Sequence, residues 1–238
     1  MSTPTRPGGA APAAAFEATD PFTPQARHLA VVSGGLGEPS QTAMLADRLA
    51  EATADALGQS GVVPEIHTIS LRALATDITQ ALVTTAVSPA LRAALDEVRQ
   101  ADAVIAVSPT FKASYAGLFK SFFDLVEDGD LTGTPVLLGA IGGTVRHSLM
   151  IDTAMRPLFA YLKAAIVPTA VFAASDDWGE AAGANASTRT DPLTRRIGAA
   201  GHDLATILMR RPARPRAAAD ADVDLEVIPF DQLLHPDA

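Results

Sequence analysis

The sequence predicts an α/β fold, a doubly wound five-stranded parallel sheet of order 2-1-3-4-5. Three observations predict it. Apolar, strand-like runs alternate along the chain with segments of helical periodicity. The runs are apolar throughout, as strands covered on both faces are. Five of them fall within about 180 residues, the span of one doubly wound domain.

Each element has its own signal. Residues 28–33, HLAVVS, form a first buried strand. A helix follows from Ser40, with Leu45, Leu49, Ala52 and Ala56 on one face, and Gly58 and Gly61 end it. Residues 62–69, VVPEIHTI, read as the second strand; Pro64 has no N–H for a ladder, so that strand belongs at an edge. Residues 71–82 and 89–100 read as helical pieces, the second capped by Ser88 ahead of Pro89. Residues 103–108, AVIAVS, are β-branched and continuous, a strand buried on both faces. Phe119, Phe122, Phe123 and Val126 then recur at helical spacing, and residues 135–141, PVLLGAI, form the fourth strand. Ile151, Met155, Leu158 and Leu162 mark a further helix, residues 166–173 a fifth strand and residues 191–210 a last long helix. A flavodoxin-like sheet of this kind places ligands beyond the carboxyl ends of its strands, near the switch between strands 1 and 3. That rule singles out loops 33–42, 108–117 and 141–148.

Composition narrows the class. A chain of 238 residues with 48% hydrophobic side chains fits one domain with extra length at its ends. Residues 1–26 carry five prolines and few large apolar groups, and are expected to form a disordered tail. The folded domain is expected over residues 27–212, with a C-terminal tail at 213–238 whose IPFDQLL patch packs back on the domain, meets a neighbour or stays disordered. A net charge of -9 argues against nucleic acid as a partner. There are no cysteines, so disulfides and thiolate chemistry are excluded, and the five histidines show no metal-ligand spacing, so no metal site is expected. No apolar run approaches the roughly 18 residues of a membrane span. The N-terminal stretch lacks the apolar core of a signal peptide, and a soluble cytoplasmic protein is expected.

The first loop, SGGLGEPSQT, lies between a strand and a helix but fits neither standard phosphate-binding pattern. Ser40 stands where a dinucleotide fingerprint has its third glycine, and no acid closes the second strand; no lysine follows the glycines as a Walker loop requires. What remains suits a single terminal phosphate held by amides and hydroxyls at a helix N-terminus. Ser33, Ser40 and Thr42 offer hydroxyls, and Gly34, Gly35 and Gly37 allow backbone conformations with positive φ. From this loop alone, Ser40 reads equally as a plain helix cap.

The second loop is SPTFKASYAGLFKSFFD, residues 108–124. It resembles the NADPH-dependent FMN reductase family of flavodoxin-like proteins, whose third strand is followed by P-x-[YF]-x-x-S-x-x-G-x-x-K-x-x-x-D. Pro109, Phe111, Ser114, Gly117, Lys120 and Asp124 stand at those spacings. Ser40 matches the serine of the family's phosphate loop, and Gly142-Gly143-Thr144 its glycine turn after the fourth strand. The chain is most similar to the reductases that accompany luciferase-like flavin monooxygenases.

The resemblance implies FMN, as bound cofactor or released substrate, and NADPH or NADH as hydride donor. It also implies a flavin-dependent monooxygenase as recipient of reduced FMN, and a homodimer or homotetramer. The residues expected to bind the flavin are Ser33, Gly34, Leu36, Ser40 and Thr42 at the phosphate, then Pro109, Thr110, Phe111, Lys112, Ser114 and Tyr115 along the ring, and Gly142, Gly143 and Thr144 beyond it. Hydride transfer belongs to the cofactor, so no catalytic acid or base is expected, and no G-x-S-x-G elbow occurs. Many relatives carry an arginine in the phosphate loop, linked to NADPH preference; here the stretch is Leu36-Gly37-Glu38, which leaves the donor open. Quinone or azo-dye reduction and a flavodoxin-type electron carrier are the alternative readings; such carriers have a Thr-rich phosphate loop unlike this one.

Other residues carry a plainer reading beside the functional one. Lys120 and Asp124 suit a surface ion pair, and the Phe119/Phe122/Phe123 stripe suits packing. Lys112 is an exposed loop lysine or a contact to phosphate or nicotinamide. Tyr115 belongs to the flavin site or to a subunit contact, Arg146 and His147 to nucleotide or to solvent, and Trp178 is a flavin cover or a loop anchor.

Overall fold

The computed structural model describes residues 26–179 and 192–214. The expected N-terminal tail up to residue 25, the C-terminal tail from 215 with its IPFDQLL patch, and the expected helix start at Asp191 lie outside the described residues. Strand β1 (Arg27–Ser33) runs parallel between β2 (Pro64–Ser70) and β3 (Ala103–Phe111), and β5 (Pro135–Gly142) lies beyond β3. β4 (Ser114–Tyr115) turns back antiparallel onto β3, while β6 (Ala165–Ile166) and β7 (Val171–Ala174) both pair with β5. The order is β2-β1-β3-β5-β6, with β4 attached to β3 and β7 to β5.

The parallel α/β arrangement therefore stands, but the expected five strands are corrected to seven. The expected fifth strand is two: β6 pairs with the start of β5 and β7 with its end. Pro168 lies between them and has no N–H to carry the ladder across. The other extra strand is β4, because β3 runs on through Pro109-Thr110-Phe111 where a loop was expected. β2 begins at Pro64 and is an edge strand, as that proline requires.

The helices are α1 (Gln41–Gly58), α2 (Ala75–Thr84), α3 (Pro89–Gln100), α4 (Gly117–Phe123), α5 (Arg156–Tyr161), α6 (Asp176–Gly179) and α7 (Pro192–Met209). The helix expected from Leu71 starts at Ala75, after a turn. The one expected from Ile151 opens as a π-helical turn, Ile151–Met155. Pro157 follows directly; it lacks an N–H and crowds the carbonyl four residues back, which disfavours a regular α-helix there.

Strand alternation sorts the core into two layers. Leu29 and Val31, Ile105 and Val107, Leu137 and Ile141 pack against α1 and α7. Ala30 and Val32, Val104 and Ala106, Val136 and Leu138 pack with α2 to α5. The second layer is centred on an aromatic group: Phe119 and Phe159 each lie 4.8 Å from Phe123, and Phe122 lies 5.3 Å from it. The Phe119/Phe122/Phe123 stripe is thus packing, fully buried. Among the described residues, no helix is long and apolar enough to cross a membrane.

Candidate functional site

Parallel pairing brings the carboxyl ends of β1, β3 and β5 to one edge of the sheet. Ser33 pairs with Val107 and Pro109 with Ile141, so the three loops that follow open side by side. The Gly34 N–H donates to the Val107 carbonyl at 2.8 Å, which ties the first loop to β3. A Cβ at Gly34 would stand 3.2 Å from the Phe119 ring, and one at Gly35 only 2.1 Å from Ser40 Oγ. The loop can fold back on its own helix start only because position 35 has no side chain; the positive φ expected of Gly34, Gly35 and Gly37 is not used, since the described glycines with positive φ are Gly61, Gly129 and Gly133.

Ser40 is the cap of α1. Its backbone is extended (φ -111°, ψ 112°) and its Oγ accepts from the Ala43 N–H at 3.2 Å. The hydroxyl keeps its own hydrogen for another acceptor. Gln41 and Thr42 occupy the first helical positions, whose N–H groups have no intrahelical acceptor, and the first turn of α1 has no acidic residue. The helix start therefore favours an anion. Ser33 and Thr42 are buried behind the loop and Leu36 is exposed on it. Glu38, the acid noted in this loop, is ion-paired with Arg72, which follows β2. A guanidinium thus stands at the loop although the loop's own sequence has none. Local sequence gave no signal for it, since the two residues are 34 apart.

The second loop is a hairpin. Phe111 pairs with Ser114 and Thr110 with Tyr115 across Lys112 and Ala113, whose φ angles are 51° and 66°. Two positive φ values are what a type I′ turn demands, at a cost of about 1 kcal/mol or more for each side chain placed there. Ser108 holds the base of the hairpin: fully buried, it accepts from the Ala116 N–H at 3.0 Å and donates to the Pro109 carbonyl at 3.0 Å. Sequence reasoning passed over it, although a serine ending a buried strand was the available sign. Thr110 Oγ1 is buried and has no hydrogen-bond partner. Phe111 is about half exposed, Lys112 is exposed at the turn, and Pro109 and Ser114 are half-buried.

Tyr115, at the end of the hairpin, is half-buried. Its ring lies 5.9 Å from Phe119, and it lines a groove of about 630 Å³ with Phe123, Thr153, Pro157 and Tyr161. Lys120 and Asp124 form the expected ion pair on the rim of that groove.

The third loop follows β5. A Cβ at Gly142 would stand 2.7 Å from the Phe172 ring and 3.3 Å from Thr110 Oγ1, so the ends of β3 and β5 lie close there. A Cβ at Gly143 would meet nothing within 4 Å, and this backbone is open. Thr144 caps a short turn, Val145–His147, by accepting from the Arg146 N–H at 3.4 Å. Arg146 is exposed on that turn and His147 half-buried. Trp178 packs against the layer beneath α1 and α7, its ring 5.8 Å from the Arg48 guanidinium carbon, so it anchors that layer. The ends of β1, β3 and β5 thus set side by side an anion-favouring helix start, a partly apolar hairpin and open glycine backbone.

The chain was compared with known proteins. The sequence model of the NADPH-dependent FMN reductase family matches residues 28–179. An NADH-dependent FMN reductase, SfnF, of Pseudomonas putida is 38% identical over 143 residues, 60% of this chain and 75% of that protein. An FMN reductase (NADPH) of Pseudomonas aeruginosa is 35% identical over 179 residues, 75% of this chain and 88% of that one. Among solved structures, an oxidoreductase from Corynebacterium diphtheriae superposes with a TM-score of 0.72 at 36% identity, covering 79% of this chain and 99% of that one.

Proposed function

The chain belongs to the NADPH-dependent FMN reductase family, and from that premise we propose that it carries hydride from NADH or NADPH to FMN and passes reduced FMN to a flavin-dependent monooxygenase. Bound FMN supplies the hydride-accepting ring nitrogen, so the protein's task is to bind, orient and shield.

The residues present fit that group. The observation that carries the reading is the orphaned hydroxyl of Thr110, buried beside Gly142 at the same end of the sheet as the capped start of α1. An unpaired buried hydroxyl is costly, and a ligand with polar ring edges satisfies it. Ser40 and the amides of Gln41 and Thr42 hold the phosphate, with Gly34 and Gly35 letting the backbone close around it and Ser33 and Leu36 flanking. Pro109, Phe111, Lys112 and Ser114 line one side of the ring, and Gly142, Gly143 and Thr144 the other. Tyr115 belongs with the groove beside α4 and supports the ring wall from behind through Phe119. The FMN-binding domain is taken as residues 27–212, the setting as cytoplasmic and the assembly as a homodimer or homotetramer.

Purified protein supplied with FMN is expected to oxidise NADH or NADPH; turnover of neither nucleotide would refute the assignment. The Ser40→Asp variant separates cap from phosphate ligand, because aspartate caps a helix as well as serine does but repels a phosphate. The expected result is an unchanged melting temperature with FMN affinity lowered about tenfold or more.

A further inference from the structure

At the opposite edge of the sheet, near the amino ends of β1 and β2, three side chains converge that local sequence spacing did not group. His28 pairs in register with Glu65, and Ala30 with His67, so His28, Glu65 and His67 share the face on which Ala30 and Val32 pack. We propose that His28, Glu65 and His67 form a site for a divalent transition-metal ion of the zinc type, which clamps edge strand β2 to β1.

One distance already fits such an ion, and the others need to close. Ligands at about 2.0–2.1 Å around tetrahedral zinc stand roughly 3.3–3.4 Å apart. Glu65 Oε2 lies 3.3 Å from His28 Nδ1 and 3.9 Å from His67 Nε2. One ligand atom from each of the three lies within 4.8 Å of the others. The adjustment needed falls on His67 and Glu65, whose side chains are 38% and 52% exposed.

His28 is the fixed member. Its N–H donates to the Asp102 carboxylate at 2.9 Å and its carbonyl accepts from the Asp102 N–H at 2.9 Å. Its Nδ1 is buried and makes no hydrogen bond of proper geometry, an unsatisfied group that a metal would occupy. Glu97 of α3 lies 3.5 Å from His67 Nδ1 and holds that ring with Nε2 towards Glu65, the carboxylate–histidine arrangement that orients metal ligands. Two imidazoles with a carboxylate favour zinc, nickel, cobalt or copper over magnesium or calcium, which take oxygen ligands. The chain has no cysteine to compete.

The test uses the full chain without an affinity tag, stripped with chelator and titrated with Co²⁺, then Zn²⁺. The expected result is one Co²⁺ per chain, with the visible absorption of a four-coordinate ion that Zn²⁺ abolishes. At Zn²⁺ about one hundred times Kd, the melting temperature should rise by roughly 5–10 °C. Both signals should vanish in His67→Gln, weaken about tenfold or more in Glu97→Gln, and persist in His202→Gln. Because His67 is partly exposed, His67→Gln should keep its circular dichroism and its rate of FMN reduction. No cobalt absorption, or absorption that survives His67→Gln, would overturn the site while leaving the flavin assignment untouched.

Discussion

Thr110 shows most directly how one residue reports on function. A hydroxyl without a partner in a buried place lowers stability, so the fold gains nothing from keeping it. The Thr110→Val variant should therefore leave the ligand-free protein as stable as before, or slightly more so, while weakening FMN binding by about tenfold, near the value of one hydrogen bond. Urea denaturation and flavin-fluorescence titration give the two halves, and equal FMN affinity would remove Thr110 from the site. Thr110 was legible as part of a motif segment, but its unpaired state was not, since it lies beside Gly142, the end of another strand. Arg72 was not legible at all, and of Ser108 only its place at the end of a buried strand was. Arg72 reaches Glu38 from beyond the second strand, and Ser108 acts through Ala116 on the far side of the hairpin.

Among the elements, α7 carries two glycines with opposite expectations. A Cβ at Gly198 would meet nothing within 4 Å, so Gly198→Ala should stabilise the protein by about 0.5–1 kcal/mol through helix propensity alone. At Gly201 the same Cβ would stand 2.7 Å from the Ala52 carbonyl carbon and 2.8 Å from the Thr53 nitrogen, where α1 and α7 cross. Those neighbours are backbone and cannot yield cheaply, so Gly201→Ala should destabilise by about 1–3 kcal/mol in spite of the propensity gain. Equilibrium urea unfolding of the pair decides it. Helices with clean periodicity and caps were readable: Ser88 with Pro89 at α3, and the stripe of α1. The hairpin at Lys112 and Ala113 was not, because neither residue is one that sequence associates with positive φ. Nor was the break at Pro168, since a proline in an apolar run is compatible with an intact edge strand.

Across the whole molecule, the chain's two described ends are tied together near the foot of β1. The buried Asp102 carboxylate accepts from the N–H groups of His28 and Arg214, and the Arg27 guanidinium donates to the Arg211 carbonyl. The proposed homo-oligomer can be tested at the groove beside α4, where Tyr161 is exposed on the rim. Sedimentation velocity is expected to give two or four chains per particle, and Tyr161→Glu to shift that towards one; a wild-type monomer at micromolar concentration would refute it. By itself the sequence determined the parallel α/β class, the edge position of β2, the three loops and the family, because periodicity, proline and motif spacing are local and survive without coordinates. Only the tertiary structure decided the seven strands, the partner of Glu38, the solitary hydroxyl of Thr110 and the meeting of His28 with His67. Each of those depends on which distant backbone a side chain faces, and register between strands is fixed by burial of the whole sheet rather than by any one stretch of chain.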